Sequence, residues 1–220
     1  MSLREDRVVI VKENAYEPVE DERGEPFRLT EFIEIFLKKH RAVLVVDIDG
    51  LEQGAAQFDA LGDLPSGGPE VWWDAAARDH TDVINILTAG ADRAVVSTRQ
   101  LRSMAELEAA VELTENVVFE VVTRGRELVA PRRVAAGGTP AALTARAAQS
   151  GVEAVVLLDA ARPLGAPIAW DFVAHAGAAA RKLYLAGGIA AGQAASIVPP
   201  PSVRVDGLVV DLISVLTPYL

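Results

Sequence analysis

The sequence predicts an α/β fold, a (β/α)8 barrel built as a single domain over residues 1–220, and three observations carry that prediction. Eight short β-rich runs recur along the chain, most of them are apolar throughout rather than alternating, and helix-like segments lie between several of them. Continuous apolarity is the pattern of parallel strands covered on both faces, and a spacing of roughly 20 to 40 residues fits repeated βα units.

In chain order the strands are Arg7–Lys12, Ala42–Asp47, Glu70–Trp73, Arg93–Ser97, Val117–Val122, Ala154–Leu158, Lys182–Leu185 and Gly207–Val210. Between the first two, Thr30–Lys39 reads as a helix, with Phe32, Ile33, Phe36 and Leu37 in one apolar stripe and basic residues at its C-terminal end. Ser103 followed by Glu106 predicts a capping box for the helix after the fourth strand. Thr139-Pro140 predicts an N-cap with proline at the first helical position, and Gly151 the stop. Trp170–Ala180 reads as the sixth helix and Gly192–Ile197 as a short seventh. The run Ala42–Asp47 is echoed by Ala154–Asp159, and residues 91–96 by 205–210 at nearly the same spacing, as a duplicated half-barrel requires.

Composition narrows the function. The net charge of −10 disfavours nucleic acid and anionic membrane surfaces as partners. No apolar run reaches the ~18 residues of a membrane span, and the chain opens on charged residues, so a cytoplasmic location is expected. Without cysteine there is neither a disulfide nor a thiolate metal site, and His40, His80 and His175 lack ligand spacing, so no metal and no cofactor is expected.

A resemblance rests on an ordered series of motifs: Val-Val-Asp-Ile-Asp-Gly at 45–50, Ala-Gly-Ala-Asp-Arg-Ala-Val-Val-Ser-Thr at 89–98, Gly-Val-Glu-Ala-Val-Val-Leu-Leu-Asp at 151–159, Leu-Ala-Gly-Gly-Ile at 185–189 and Val-Asp-Gly-Leu-Val-Val at 205–210. With these the chain resembles the phosphate-binding TIM barrels of histidine biosynthesis, an aldose–ketose isomerase and a related cyclase. Leu-Leu-Asp-Ala-Ala-Arg at 157–162 is as similar to phosphoribosylanthranilate isomerase. The resemblance implies a phosphate-binding barrel with an isomerase-like reaction on a phosphorylated sugar.

Departures bear on that reaction. The family ends its first and fifth strands in acid–base aspartates, where this chain has Lys12-Glu13 and Val121, with Glu120 one residue away and so expected to point outward. The glycine-rich turn after the third strand is replaced by Trp72-Trp73-Asp74, and the Gly-Ser after the eighth by Val210-Asp211. The phosphate contacts that survive are Gly187, Gly188, Ser97 and Thr98.

Asp47 and Asp159 end opposed strands two and six and are the expected catalytic carboxylates at the mouth, with Asp74 and Asp211 on the same rim. Lys12 is a third catalytic candidate, as a Schiff-base amine or as the partner of Asp47. Arg124 and Arg132, with Arg126 and Arg133, crowd one mouth loop of an acidic chain and suit a phosphate or carboxylate. The expected partner is a small anionic, phosphorylated metabolite, and a homo-oligomer contact is the other use for those arginines. Two functions follow: a diverged sugar-phosphate isomerase-like enzyme, or a non-catalytic barrel binding a metabolite or partner subunit. Side branches of the family linked to one-carbon metabolism resemble the second.

Overall fold

The computed structural model describes residues 1–12, 15–38, 40–62, 64 and 67–212, with the side chains of 10–12 and 15 left aside. Glu13 and Lys39 lie outside the described residues. The strands are β1 (Ser2–Arg4), β2 (Arg7–Lys12), β3 (Ala15–Pro18), β4 (Ala42–Asp47), β5 (Glu70–Asp74), β6 (Arg93–Ser97), β7 (Val117–Arg124), β8 (Glu127–Leu128), β9 (Ala154–Asp159), β10 (Lys182–Ala186) and β11 (Gly207–Leu208). They form one sheet in the order β3-β2-β1-β4-β5-β6-β7-β9-β10-β11, with β8 folded back on β7. Eight of them, β1, β4, β5, β6, β7, β9, β10 and β11, run parallel and make up the (β/α)8 barrel. The eighth and first strand positions approach one another where Asp211, just past β11, acts electrostatically on the Met1 amine.

The first barrel strand is not the predicted one. Arg7–Lys12 runs antiparallel to β1, and Ser2–Arg4 takes the place beside β4. Glu5 and Asp6, with φ of 48° and 60°, form the two-residue turn between them, and left-handed residues at both positions match the twist of a hairpin. Their amides are held from above, Glu5 N–H by Asp49 Oδ2 at 2.7 Å and Asp6 N–H by Gln57 Oε1. Glu and Asp tolerate this conformation less well than Asn and Gly. The double change Glu5→Asn, Asp6→Gly is expected to raise stability by about 1 kcal/mol in urea titrations.

Strand parity sorts the barrel into two layers. Leu3, Val43, Val45, Trp73, Val96, Phe119, Val121, Val155 and Leu157 face the helices, whereas Trp72, Val95, Val118, Ala154, Val156 and Ala186 fill the interior. Trp72 and Trp73 thus take opposite faces, as successive strand residues must. Around the sheet stand α1 (Leu29–Phe32), α2 (Ile48–Gln53), α3 (Asp59–Gly62), α4 (His80–Thr88), α5 (Met104–Leu113), α6 (Arg132–Ala135), α7 (Pro140–Ser150), α8 (Trp170–Ala176) and α9 (Ala191–Ala194), with α4, α5, α7 and α8 packed in succession. α1 continues as a π-helical turn, Ile33–Leu37, within the helix predicted from residue 30.

Capping follows the sequence at α7, where Thr139 Oγ1 accepts from Ala142 N–H at 3.3 Å and Gly151 ends the helix at φ 106°. At α5 it does not. Ser103 occupies the N-cap without a side-chain bond, because the Glu106 carboxylate meets His80 Nδ1 at 2.8 Å instead of turning back. Among the described residues no helix is long and apolar enough to cross a membrane.

Candidate functional site

Three adjacent strands bring polar side chains, two of them acidic, into the barrel interior. Asp74 ends β5 two residues after the inward Trp72, Ser97 ends β6 two after Val95, and Glu120 lies two after Val118 on β7. All three are buried. After β6 the chain turns at once, with Leu101 N–H on Ser97 O at 3.1 Å, and Arg99 folds back over the strand ends. Its Nη2 donates to Asp74 Oδ2 at 3.2 Å and to Glu120 Oε2 at 3.3 Å. Ser97 Oγ donates to the same Glu120 oxygen at 2.7 Å.

One guanidinium therefore serves two sealed carboxylates. Desolvation and the neighbouring Glu120 charge push the Asp74 carboxyl from its ordinary 3.8 up to about 7, against the opposing pull of Arg99 and the Ala76 amide. That amide reaches Asp74 Oδ1 at 3.1 Å from a residue with φ of 63°, a conformation rare for alanine and common at functional sites. Asp74 is thus poised to gain and lose a proton at neutral pH. Arg99 keeps 27% of its side chain accessible above the buried carboxyl of Asp74. Nearby, Tyr16 on β3 donates to Glu52 Oε1 at 3.1 Å under the Arg4 guanidinium, close enough to Arg99 to feel its charge.

The opposed aspartates do not join this cluster. Asp47 shares the outward parity of Val43 and Val45, and accepts from Gly50 N–H at 3.0 Å, Gln57 N–H at 2.7 Å and Gln57 Nε2 at 3.1 Å. It caps α2 and ties down the loop beyond it. Asp159 shares the parity of Val155 and Leu157 and accepts from Gly125 N–H at 2.9 Å and Ala161 N–H at 3.1 Å. The expectation that both face the mouth is corrected by strand parity. Asp47→Asn is expected to lower unfolding free energy by roughly 1–3 kcal/mol, read by denaturant titration, by disrupting bonds to loop amides.

Lys12 ends a strand that runs against the barrel, not one that rises into its mouth. Ser97 and Thr98 are committed within the protein: Ser97 to Glu120, Thr98 Oγ1 as donor to Val129 O and acceptor from Val122 N–H, both at 3.0 Å. They also stand two strands away from Gly187 and Gly188, since β7 and β9 intervene. The glycines adopt φ of 87° and 60°, and a Cβ there would lie 2.2 Å from Asp159 O and 2.5 Å from Arg162 O. Both the positive φ and the close packing of two loops require glycine here. Arg124 and Arg132 are exposed, at the end of β7 and the start of α6. Asp211 donates its N–H to Ile189 O at 2.9 Å and acts electrostatically on Arg162.

Three residues of this face escaped the sequence reading. Glu120 points inward, correcting the outward placement. Its signal was a lone acid inside the apolar run Val117–Val122, which only a buried partner can stabilise. Arg99 was visible only as the residue two beyond Ser97. Arg162 donates through Nε to Gly187 O at 2.7 Å and, with Arg126, Thr123 and Phe172, lines a pocket of about 150 Å³ beside α8.

No protein-family model matches the chain, and no curated protein matches it in sequence. Solved structures do match its fold. One, a 3-hexulose-6-phosphate synthase, superposes with a TM-score of 0.50 at 14% identity, covering 75% of each chain. At that identity the likeness extends to the barrel fold alone.

Proposed function

We propose that this barrel is an enzyme that moves a proton between neighbouring carbon and oxygen atoms of a phosphorylated sugar. The observation that carries the reading is the Asp74–Arg99–Glu120 group at the C-terminal ends of β5 and β6, with Glu120 brought level with them on β7, since enzymes of this fold place their chemistry at that end of the strands. An enediol rearrangement needs a base to take the C–H proton and an acid to protonate the carbonyl oxygen. A carboxylate beside a protonated carboxyl supplies both, and each recovers its starting state when the first gives its proton to the other carbon of the enediol and the second takes the proton of the other hydroxyl. Aldose–ketose isomerisation and aldol chemistry share this first step, and a 3-hexulose-6-phosphate synthase is a structural neighbour. The sugar's anionic end is assigned to the loops after the sixth to eighth barrel strands, where Arg162 stands beside Gly187 and Gly188.

A second reading, a non-catalytic barrel, draws on one observation: both carboxylates are sealed beneath Arg99. A panel of sugar phosphates separates the two. At 100 times its dissociation constant a ligand should stabilise the protein by about 2.7 kcal/mol, an effect that Arg162→Ala should weaken. Glu120→Gln should retain that binding and lower turnover ~10²–10⁴-fold. Binding without turnover in the unaltered protein supports the second reading, and neither binding nor turnover across the panel overturns the first.

A further inference from the structure

We propose that Ser97 is the positioning residue that divides the labour of the carboxylate pair, holding Glu120 ionised and leaving Asp74 to bear the proton. The inference rests on the reading of the pair as an acid–base couple and adds what sets its polarity. Arg99 cannot set it, because its Nη2 lies at nearly equal distances from Asp74 Oδ2 and Glu120 Oε2, 3.2 and 3.3 Å. Ser97 breaks the symmetry. Its oxygen accepts from the Arg99 backbone N–H and from Arg99 Nε, both at 3.4 Å, so its lone pairs face donors and its own proton has one destination.

That destination is Glu120 Oε2 at 2.7 Å, and a hydroxyl that donates to a carboxyl oxygen favours its ionised form. The relay runs from Arg99 Nε–H through the Ser97 hydroxyl to Glu120, so the guanidinium reaches Glu120 both directly and through Ser97. Asp74 receives the same Nη2 and, on its other oxygen, a backbone amide. β9, on the far side of β7, sets Val156 opposite Glu120, and Asp74 also feels the charge of Asp47. Burial excludes water from replacing the hydroxyl, since Ser97 has no accessible surface.

The test is a carboxyl-carbon NMR titration of the full chain labelled at Asp and Glu, read for Asp74 and Glu120, which requires no turnover. In the unaltered protein Asp74, not Glu120, should be the carboxyl of the pair that takes up a proton near neutral pH. Ser97→Ala should raise the Glu120 midpoint by about one to two pH units and lower that of Asp74, because a neutral Glu120 no longer repels it. Ser97→Thr, which keeps the hydroxyl, should restore the original order. Midpoints unchanged in Ser97→Ala, or an unaltered protein in which Glu120 titrates above Asp74, overturn the proposal, and the latter needs no variant to fold. If the titrations run as expected while Glu120→Gln leaves sugar-phosphate turnover intact, the proposed function fails and the role of Ser97 stands.

Discussion

Arg99→Leu is expected to cost about 3–5 kcal/mol of stability at neutral pH, because it strips the cation paired, among the described residues, with two carboxylates buried inside the barrel. The loss should depend steeply on acidity. Without Arg99 both carboxyls favour the neutral form in the folded state and remain ordinary acids when unfolded, so the folded variant binds more protons. Its stability must then rise as pH falls through the neutral range and be largely recovered near pH 4. Arg99→Lys, which keeps a cation within reach, should lose much less. Urea denaturation at pH 8, 6 and 4.5 reads the effect. A loss of equal size at all three would mean that packing, not charge, is what Arg99 contributes.

The architecture was legible because parallel strands covered on both faces become short apolar runs with charged ends. Ala42–Asp47 and Arg93–Ser97 were bounded as the structure has them. The exception was the first strand. The turn at Glu5-Asp6 carries no glycine or asparagine, and β1 has three residues, so the longer apolar run after it attracted the assignment. The same uniformity that marks a parallel strand conceals its parity. In Ala42-Val-Leu-Val-Val-Asp47 nothing says which alternate residues face inward, and the terminal aspartate was given the wrong side, as was its counterpart Asp159. The echo between the halves survives at the level of role, since each aspartate braces the loop that follows its own strand and reaches a second segment, at Gln57 or at Gly125. Asp74 was recognisable as a rim residue from its position after two tryptophans. Its partnership with Glu120 and Arg99 was not, because it depends on three strands and a turn being brought level by the sheet.

Asp74→Asn should make the protein more stable and less active at once. With its carboxyl raised from 3.8 to about 7, Asp74 stabilises the fold fully only below the unfolded value, and that contribution is lost as pH rises through about 7. The shift corresponds to a penalty on the order of 4 kcal/mol above neutrality. Asparagine cannot ionise and escapes it. The variant and the unaltered protein should therefore be similar near pH 4, diverge in the variant's favour between 4 and 7, and keep a difference of up to a few kcal/mol at pH 8. Other acids, such as Asp171 and Glu108, whose carboxyls are held low by Arg126 and Arg146, titrate alike in both proteins and cancel from the comparison. Turnover on a sugar phosphate should meanwhile fall ~10²–10⁴-fold, since the proposed proton carrier is gone while the barrel remains. Stability gained where activity is lost is the signature of a group retained for chemistry at the expense of the fold. A difference that instead shrinks as pH rises would show Asp74 ionised and held by Arg99, a structural ion pair with no proton to give.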